Sequence, residues 1–216
     1  MTQIITDISQ LDPNGTYTYA DYLTWKFSEM VELIKGKMMR MSAPIELHQR
    51  ISGNLYWEMR KYFQAKSCRI YSAPFDVRLK DSKKTAKANK DILTTVQPDL
   101  CVICDATKID RRGCIGSPDL VVEILSEGNS KKEMRIKYDL YEENEILEYW
   151  IVDPEHETLH QFVLDETTKK YQGAKIYVND DAFSSSVFAD MEIDLTKIFV
   201  TYENDTQNTW LSPPIL

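Results

Sequence analysis

Residues 96–137 read VQPDLCVICDATKIDRRGCIGSPDLVVEILSEGNSKKEMRIK, and this stretch decides the fold. Its centre, Asp119 to Ser126, is a near-continuous apolar and β-branched run bounded by Gly116 and Pro118 before it and Gly128 after it. That is the pattern of a strand buried on both faces. Glu123 stands in the middle of the run, where an ionised carboxylate is costly unless a cation, a metal or dense hydrogen bonding compensates it. The earlier run Gln97 to Cys104 repeats the pattern, with Pro98 opening the strand and Asp99 directly after it. If these two strands are neighbours, their acids can share one hard divalent cation, which takes oxygen ligands and water.

The segment that follows supplies a cation. Ser130-Lys131-Lys132-Glu133 reads as a capping box, so a helix starts near Lys131, with Met134, Tyr138 and Tyr141 as its apolar stripe. Lys137 falls three residues after Met134 and four before Tyr141, on the inner face. It lies about 9 Å along the helix at 1.5 Å per residue, and Glu123 lies about 10 Å back along its strand at 3.3 Å per residue. A helix folded back along its own strand brings the two level. The side chain leans toward the helix N-terminus, which favours that encounter.

On these residues the chain resembles the PD-(D/E)XK nuclease superfamily and, within it, the Uma-two family of restriction-endonuclease-like proteins. Pro98-Asp99 matches the Pro-Asp that opens one strand of the superfamily motif, and Glu123 matches the acid of the next. The lysine departs from the pattern, because Glu123-Ile124 is followed by Leu125. In superfamily members whose lysine has moved to the following helix, Lys137 is the matching position. The likeness runs by eye over residues 16–200, through YTYADYL, VELIKGKMM, HQRISGNL, APFDVRL and EYWIVDP. It implies an α/β (α+β) restriction-endonuclease-like core, a mixed central sheet flanked by helices, with an N-terminal hairpin and C-terminal antiparallel strands. It also implies Asp99 and Glu123 as ligands of Mg²⁺ or Mn²⁺, with Lys137 assisting attack by water. Glu32 matches a glutamate of the family's Glu-Leu-Ile-x-Gly pattern and becomes a further candidate metal ligand, the alternative being a hairpin acid paired with Lys37 or Arg40. His48 matches the family's histidine; it either contacts phosphate or the site acids, or is hydrogen-bonded for structure alone.

At 216 residues, 43% hydrophobic and 28% charged, the composition is that of a globular protein, and a single domain over residues 16–200 is expected, between an arm at 1–15 and a tail at 201–216. The chain has neither a long apolar run nor a basic, apolar leader, so a cytoplasmic location without membrane contact is expected. A net charge of −8 argues against nonspecific adhesion to nucleic acid. The four cysteines, Cys68, Cys101, Cys104 and Cys114, are expected as small buried thiols, since Cys101 and Cys104 in one strand point to opposite faces and cannot share a zinc ion.

Along the chain, residues 1–15 read as a loose arm, and Thr18 with Asp21 as the cap of a short helix. Met30 to Ile34 and Lys37 to Met41 form a hairpin about Lys35-Gly36. Glu46 to Gln64 form the longest helix, with Leu47, Ile51, Leu55, Met59 and Tyr62 on its inner stripe. Residues 69–79 read as one strand containing Pro74, with Asp76 either a site acid or the partner of Arg78 or Arg69. Lys80 to Lys90 hold five lysines against one aspartate, a surface loop that is either simply solvated or tracks a phosphate backbone. Leu147 to Val152, Thr158 to Leu164 and Lys170 to Val178 read as strands.

Two classes of function follow. One is a metal-dependent endonuclease acting on nucleic acid, DNA in the first place, with a two-fold homodimer suited to cutting both strands. The other is a catalytically inactive module that keeps the nuclease fold for binding or assembly. A two-carboxylate glycosidase has nothing behind it except the acids.

Overall fold

The computed structural model describes residues 4–79, 88–126 and 131–200. The capping serine Ser130, most of the Lys80 to Lys90 loop and the tail at 201–216 lie outside the described residues.

A short helix α1 (Tyr19–Tyr22) is followed by the hairpin β1 (Val31–Ile34) and β2 (Lys37–Arg40), then by the long helix α2 (Glu46–Phe63). Next come β3 (Arg69–Ser72), β4 (Asp76–Leu79), β5 (Thr94–Val96) and β6 (Leu100–Ile103). After the small strands β7 (Ile109–Asp110) and β8 (Gly113–Ile115) the central unit is β9 (Leu120–Ile124), α3 (Lys131–Glu143) and β10 (Glu148–Asp153). The chain continues as β11 (Thr158–Asp165), β12 (Lys170–Tyr171), β13 (Lys175–Val178), β14 (Ala182–Ser184) and β15 (Glu192–Asp194). One mixed sheet has the order β12-β11-β10-β9-β6-β3, with β13 also on β11; a second has the order β2-β1-β5-β4-β8-β7.

Both faces of β6 and β9 are buried, as their apolar runs require. Leu100, Val102, Leu120, Val122 and Ile124 pack on α2, while Cys101, Ile103 and Val121 pack with Leu140 and Tyr141 of α3. Ile51, Leu55, Met59 and Phe63 are the buried stripe of α2, at the spacing expected for one helical face. β9 and β10 run parallel with α3 between them, so the helix returns along its own strand. β6 runs antiparallel to β9 with Leu100 opposite Val122. Extending that register by one residue sets Asp99 opposite Glu123.

Four expectations are corrected. Residues 69–79 are two strands in different sheets, because the chain turns at Ala73-Pro74: β3 pairs with β6, and β4 with β5 and β8. Lys170 to Val178 likewise divide into β12 and β13, which pair with different parts of β11. The arm is packed from Ile5 onward, with Ile8 and Leu11 buried against Trp25 and Leu33. Cys68 and Cys104 form a disulfide rather than standing as free thiols. They directly flank the antiparallel pair in which Arg69 lies opposite Ile103, so cross-strand pairing puts them face to face. Cys101 and Cys114 are the buried free thiols.

Two buried charges tie distant segments together. Glu148, fully buried, accepts from Trp150 Nε1 (2.7 Å), Gln161 Nε2 (2.6 Å), Ser185 Oγ (2.6 Å) and the Val187 N–H (2.9 Å), which fixes the C-terminal strands to β10. Arg78, only 1% exposed, donates two bonds to Asp110 and one to the Cys114 carbonyl. The Arg78 guanidinium holds the Asp110 carboxyl below its ordinary range. Asp110→Ala is expected to cost about 2 kcal/mol, less than a fully buried pair because Asp110 is 45% exposed. Urea unfolding is the check, and a midpoint unchanged from wild type would show that water replaces the carboxylate at no cost.

Candidate active site

Five segments meet at the C-terminal end of β9: β1, the start of α2, the residue before β6, β9 itself and α3. Asp99 precedes β6 and Glu123 is the penultimate residue of β9, so antiparallel pairing puts two acids side by side, a repulsive arrangement without a cation. Asp99 Oδ2 accepts the Ile124 backbone N–H at 2.7 Å, which fixes its carboxylate, and Asp99 Oδ1 lies 3.2 Å from His48 Nε2. His48 comes from the first turn of α2 and is buried. Its Nδ1 has no hydrogen-bond partner among the described residues, so the imidazole engages the site through Nε2. Burial by itself lowers the His48 pKa, but the bond to Asp99 and the charges of Asp99 and Glu123 outweigh it and the net shift is upward.

Lys137 lies on the inner face of α3, and its Nζ donates to Glu123 Oε1 and to Glu32 Oε1, each at 2.9 Å. Burial opposes the ammonium charge, yet the two carboxylates raise its pKa well above the ordinary lysine value. Tyr141, one turn further along the same face, donates its hydroxyl to the same Oε1 of Glu123. The Tyr141 hydroxyl is kept protonated by burial first and by the neighbouring acids second.

Glu32, 4% exposed on β1, is not paired with Lys37 or Arg40: its Oε1 takes both Lys137 and the Gln97 backbone N–H at 2.8 Å. Lys37 instead donates to the carbonyls of Asn14 and Gly15. Asp76 is paired with neither Arg78 nor Arg69, and accepts from Tyr19 Oη (2.7 Å) and Gln97 Nε2 (2.9 Å). Gln97 therefore links Asp76 to Glu32, a connection with no counterpart in the reading of the sequence. Asp99, Glu123, Lys137, Glu32 and His48 thus converge, while Asp76 stands one residue removed, behind Gln97.

Asp99, Glu123 and Glu32 are the acids expected as metal ligands. Among the described residues no three His, Cys, Asp or Glu side chains are grouped so as to hold a metal. Oε1 of Glu32 is taken by Lys137 and Gln97, and Oε1 of Glu123 by Lys137 and Tyr141. Asp99 and Glu123 face each other across the strand pair. That donor set fits a hard cation of the magnesium type, which uses one or two carboxylates and fills its shell with water and substrate oxygens.

Burial raises the Glu123 carboxyl to about 7 from its ordinary 4.5, with Lys137 pulling against the shift and Asp99 and Glu32 adding to it. A carboxyl raised in the folded state contributes stability below its unfolded pKa and loses it as pH rises through the folded value. The metal-free wild type is therefore expected to lose stability relative to Glu123→Gln between about pH 4.5 and pH 7. Melting temperatures of both proteins across that window are the check. Parallel curves would show that Glu123 titrates alike folded and unfolded.

The two large mixed sheets and the crossover helix between β9 and β10 make a fold of the restriction-endonuclease type. Residues 19–196 match the family model Uma2, described as "Putative restriction endonuclease". The chain belongs to this family. A crystal structure from Anabaena variabilis, described as "a putative nuclease belonging to DUF820", superposes with a TM-score of 0.64 at 17% identity, covering 84% of this chain and 97% of that one. No curated protein matches the chain. Among the described residues no helix is long and apolar enough to cross a membrane.

Proposed function

We propose that this protein is a metal-dependent endonuclease that hydrolyses phosphodiester bonds of nucleic acid, DNA in the first place. The observation behind this reading is the bond from Lys137 Nζ to Glu123 Oε1 beside Asp99, an acid pair and a cation assembled from three separate segments. Asp99 and Glu123 would hold Mg²⁺ or Mn²⁺, which supplies Lewis acidity and a more acidic bound water. An ammonium has three donors, and Glu32 and Glu123 take two of those of Lys137, leaving one for an attacking water or a phosphoryl oxygen. Tyr141 and Lys137 both bind Oε1 of Glu123, which fixes the direction of its other oxygen. His48 braces Asp99 from the opposite helix. Glu32 acts through Lys137 and is a positioning residue rather than a ligand.

A cleavage screen on single-stranded and duplex DNA and RNA with Mg²⁺, Mn²⁺ or Ca²⁺ tests the proposal. The expected result is cleavage with Mg²⁺ or Mn²⁺ that chelation abolishes.

The second reading, an inactive binding or assembly module, draws on the ion triad itself, because Lys137 already pairs with two of the site acids and supplies part of their countercharge without a metal. Calorimetry separates the two. Binding of Mn²⁺ in the presence of nucleic acid supports the enzyme, and its absence together with a blank cleavage screen supports the module.

A further inference from the structure

The hairpin β1–β2 turns one face toward the acids, and that face is rich in methionine. Strand alternation puts Met30, Glu32 and Ile34 on the same side. Met39 lies directly opposite Glu32, and Met41, two residues further on, donates its N–H to the Met30 carbonyl at 2.9 Å. Met30, Met39 and Met41 therefore surround the glutamate that holds Lys137. All three line a cavity of about 230 Å³ whose opposite wall includes His48, Asp99 and Glu123.

We propose that the substrate of this site is an unpaired nucleotide in single-stranded nucleic acid, its base seated on the methionine wall while its phosphate meets Asp99 and Glu123. This rests on the phosphodiesterase reading above. The cavity, about 230 Å³, is smaller than the roughly 300–1,000 Å³ of sites that enclose a drug-sized ligand, a size suited to a single base rather than a base pair. A base inside a duplex is stacked and cannot reach the wall; an unpaired base can.

Charge points the same way. Duplex binding relies on many phosphate contacts from lysine and arginine. The described lining has Glu32, Asp99, Glu123 and Glu133 against Arg40 and Lys137, and Lys137 is already bound to two of those acids. Among the described lining residues, the apolar wall is then the surface best suited to a base. Methionine suits that task, since its flexible, polarizable thioether packs on aromatic rings of varied shape. Discrimination between bases needs paired donors and acceptors on their edges, which a thioether wall lacks, so the wall itself favours tolerance of sequence. A single-stranded substrate also removes the need for the two-fold dimer expected for cutting both strands.

The test uses the full chain with Mn²⁺ and end-labelled oligonucleotides: four mixed-sequence single strands of DNA, the same four of RNA, and the matched duplexes. The expected result is cleavage of single strands at least 10-fold faster than of duplexes, with similar rates across sequences. The double variant Met39→Ala, Met41→Ala should raise KM for the single strand about 10-fold with little change in kcat, and Met41→Leu should restore most of it. Should the double variant lose its cooperative melt, Met30→Gln replaces it, because Met30 is 39% exposed and its exchange spares the core; it too should raise KM. Duplexes cleaved as fast as single strands, or an unchanged KM in a folded wall variant, overturn the substrate assignment and leave the phosphodiesterase reading standing. No cleavage of any oligonucleotide with any of the metals overturns that reading, and this one with it.

Discussion

Asp99→Ala and Glu123→Ala should each lower metal-dependent cleavage by about 10³-fold or more, beyond the 10–100-fold typical of losing a partner that only orients a metal ligand. Both proteins should still fold. The two acids stand opposite one another on antiparallel strands, so removing either relieves a like-charge contact, and the Lys137 ammonium keeps Glu32 in both variants. The cleavage assay is paired with melting curves. Mn²⁺ should raise the melting temperature of the wild type and leave both variants unmoved, because a ligand that binds only the native state stabilises it by mass action. Full activity in either variant would remove the acid pair from the reaction, and an unchanged Mn²⁺ response would remove it from metal binding.

The acids and the lysine were legible because each rests on a periodicity. A strand buried on both faces makes a carboxylate such as Glu123 conspicuous, and a helical stripe tells which way Lys137 points. What was hidden depends on partners far along the chain. Glu148 looks like any polar residue at a strand start, and its four donors come from residues 150 to 187, brought together only by the return of β11 and the segment after β14. The tie from Gln97 to Glu32 runs through a backbone N–H, which no side-chain pattern reports. Tyr141 belongs to the apolar stripe of α3, and its position four residues after Lys137 is the one signal of its hydroxyl's role, since i and i+4 share a face. The division of residues 69–79 needed the sheet order, because β3 and β4 each look like a strand and only their partners show that they belong to different sheets. The methionine face of the hairpin was present in the alternation of Met30, Glu32 and Ile34 with Met39 and Met41, but alternation alone does not say which face meets the acids.

Lys137→Met separates chemistry from ligation. The substitution keeps most of the side chain's length and apolar stem and removes the ammonium that donates to Glu32 and Glu123. Cleavage should fall about 10²–10³-fold, the usual loss when one charged or hydrogen-bonding group is taken from a developing oxyanion. Metal binding should not fall with it. Losing a positive charge beside Asp99 and Glu123 raises the attraction for a divalent cation, so Mn²⁺ affinity should hold or increase while turnover drops, a split that deletion of either acid cannot produce. The metal-free variant should also be less stable, because two largely buried carboxylates lose their shared cation. The penalty falls on the ionised forms, so it should be small in acid, grow as pH rises, and shrink again when Mn²⁺ is added. Lys137→Arg keeps the charge but not the shape: a planar fork cannot donate to Glu32 and Glu123 from one nitrogen and still direct a third hydrogen at substrate. It should recover stability while recovering little activity. Full activity in Lys137→Met would reduce the lysine to a structural counter-ion and transfer the activation of water to the metal and His48.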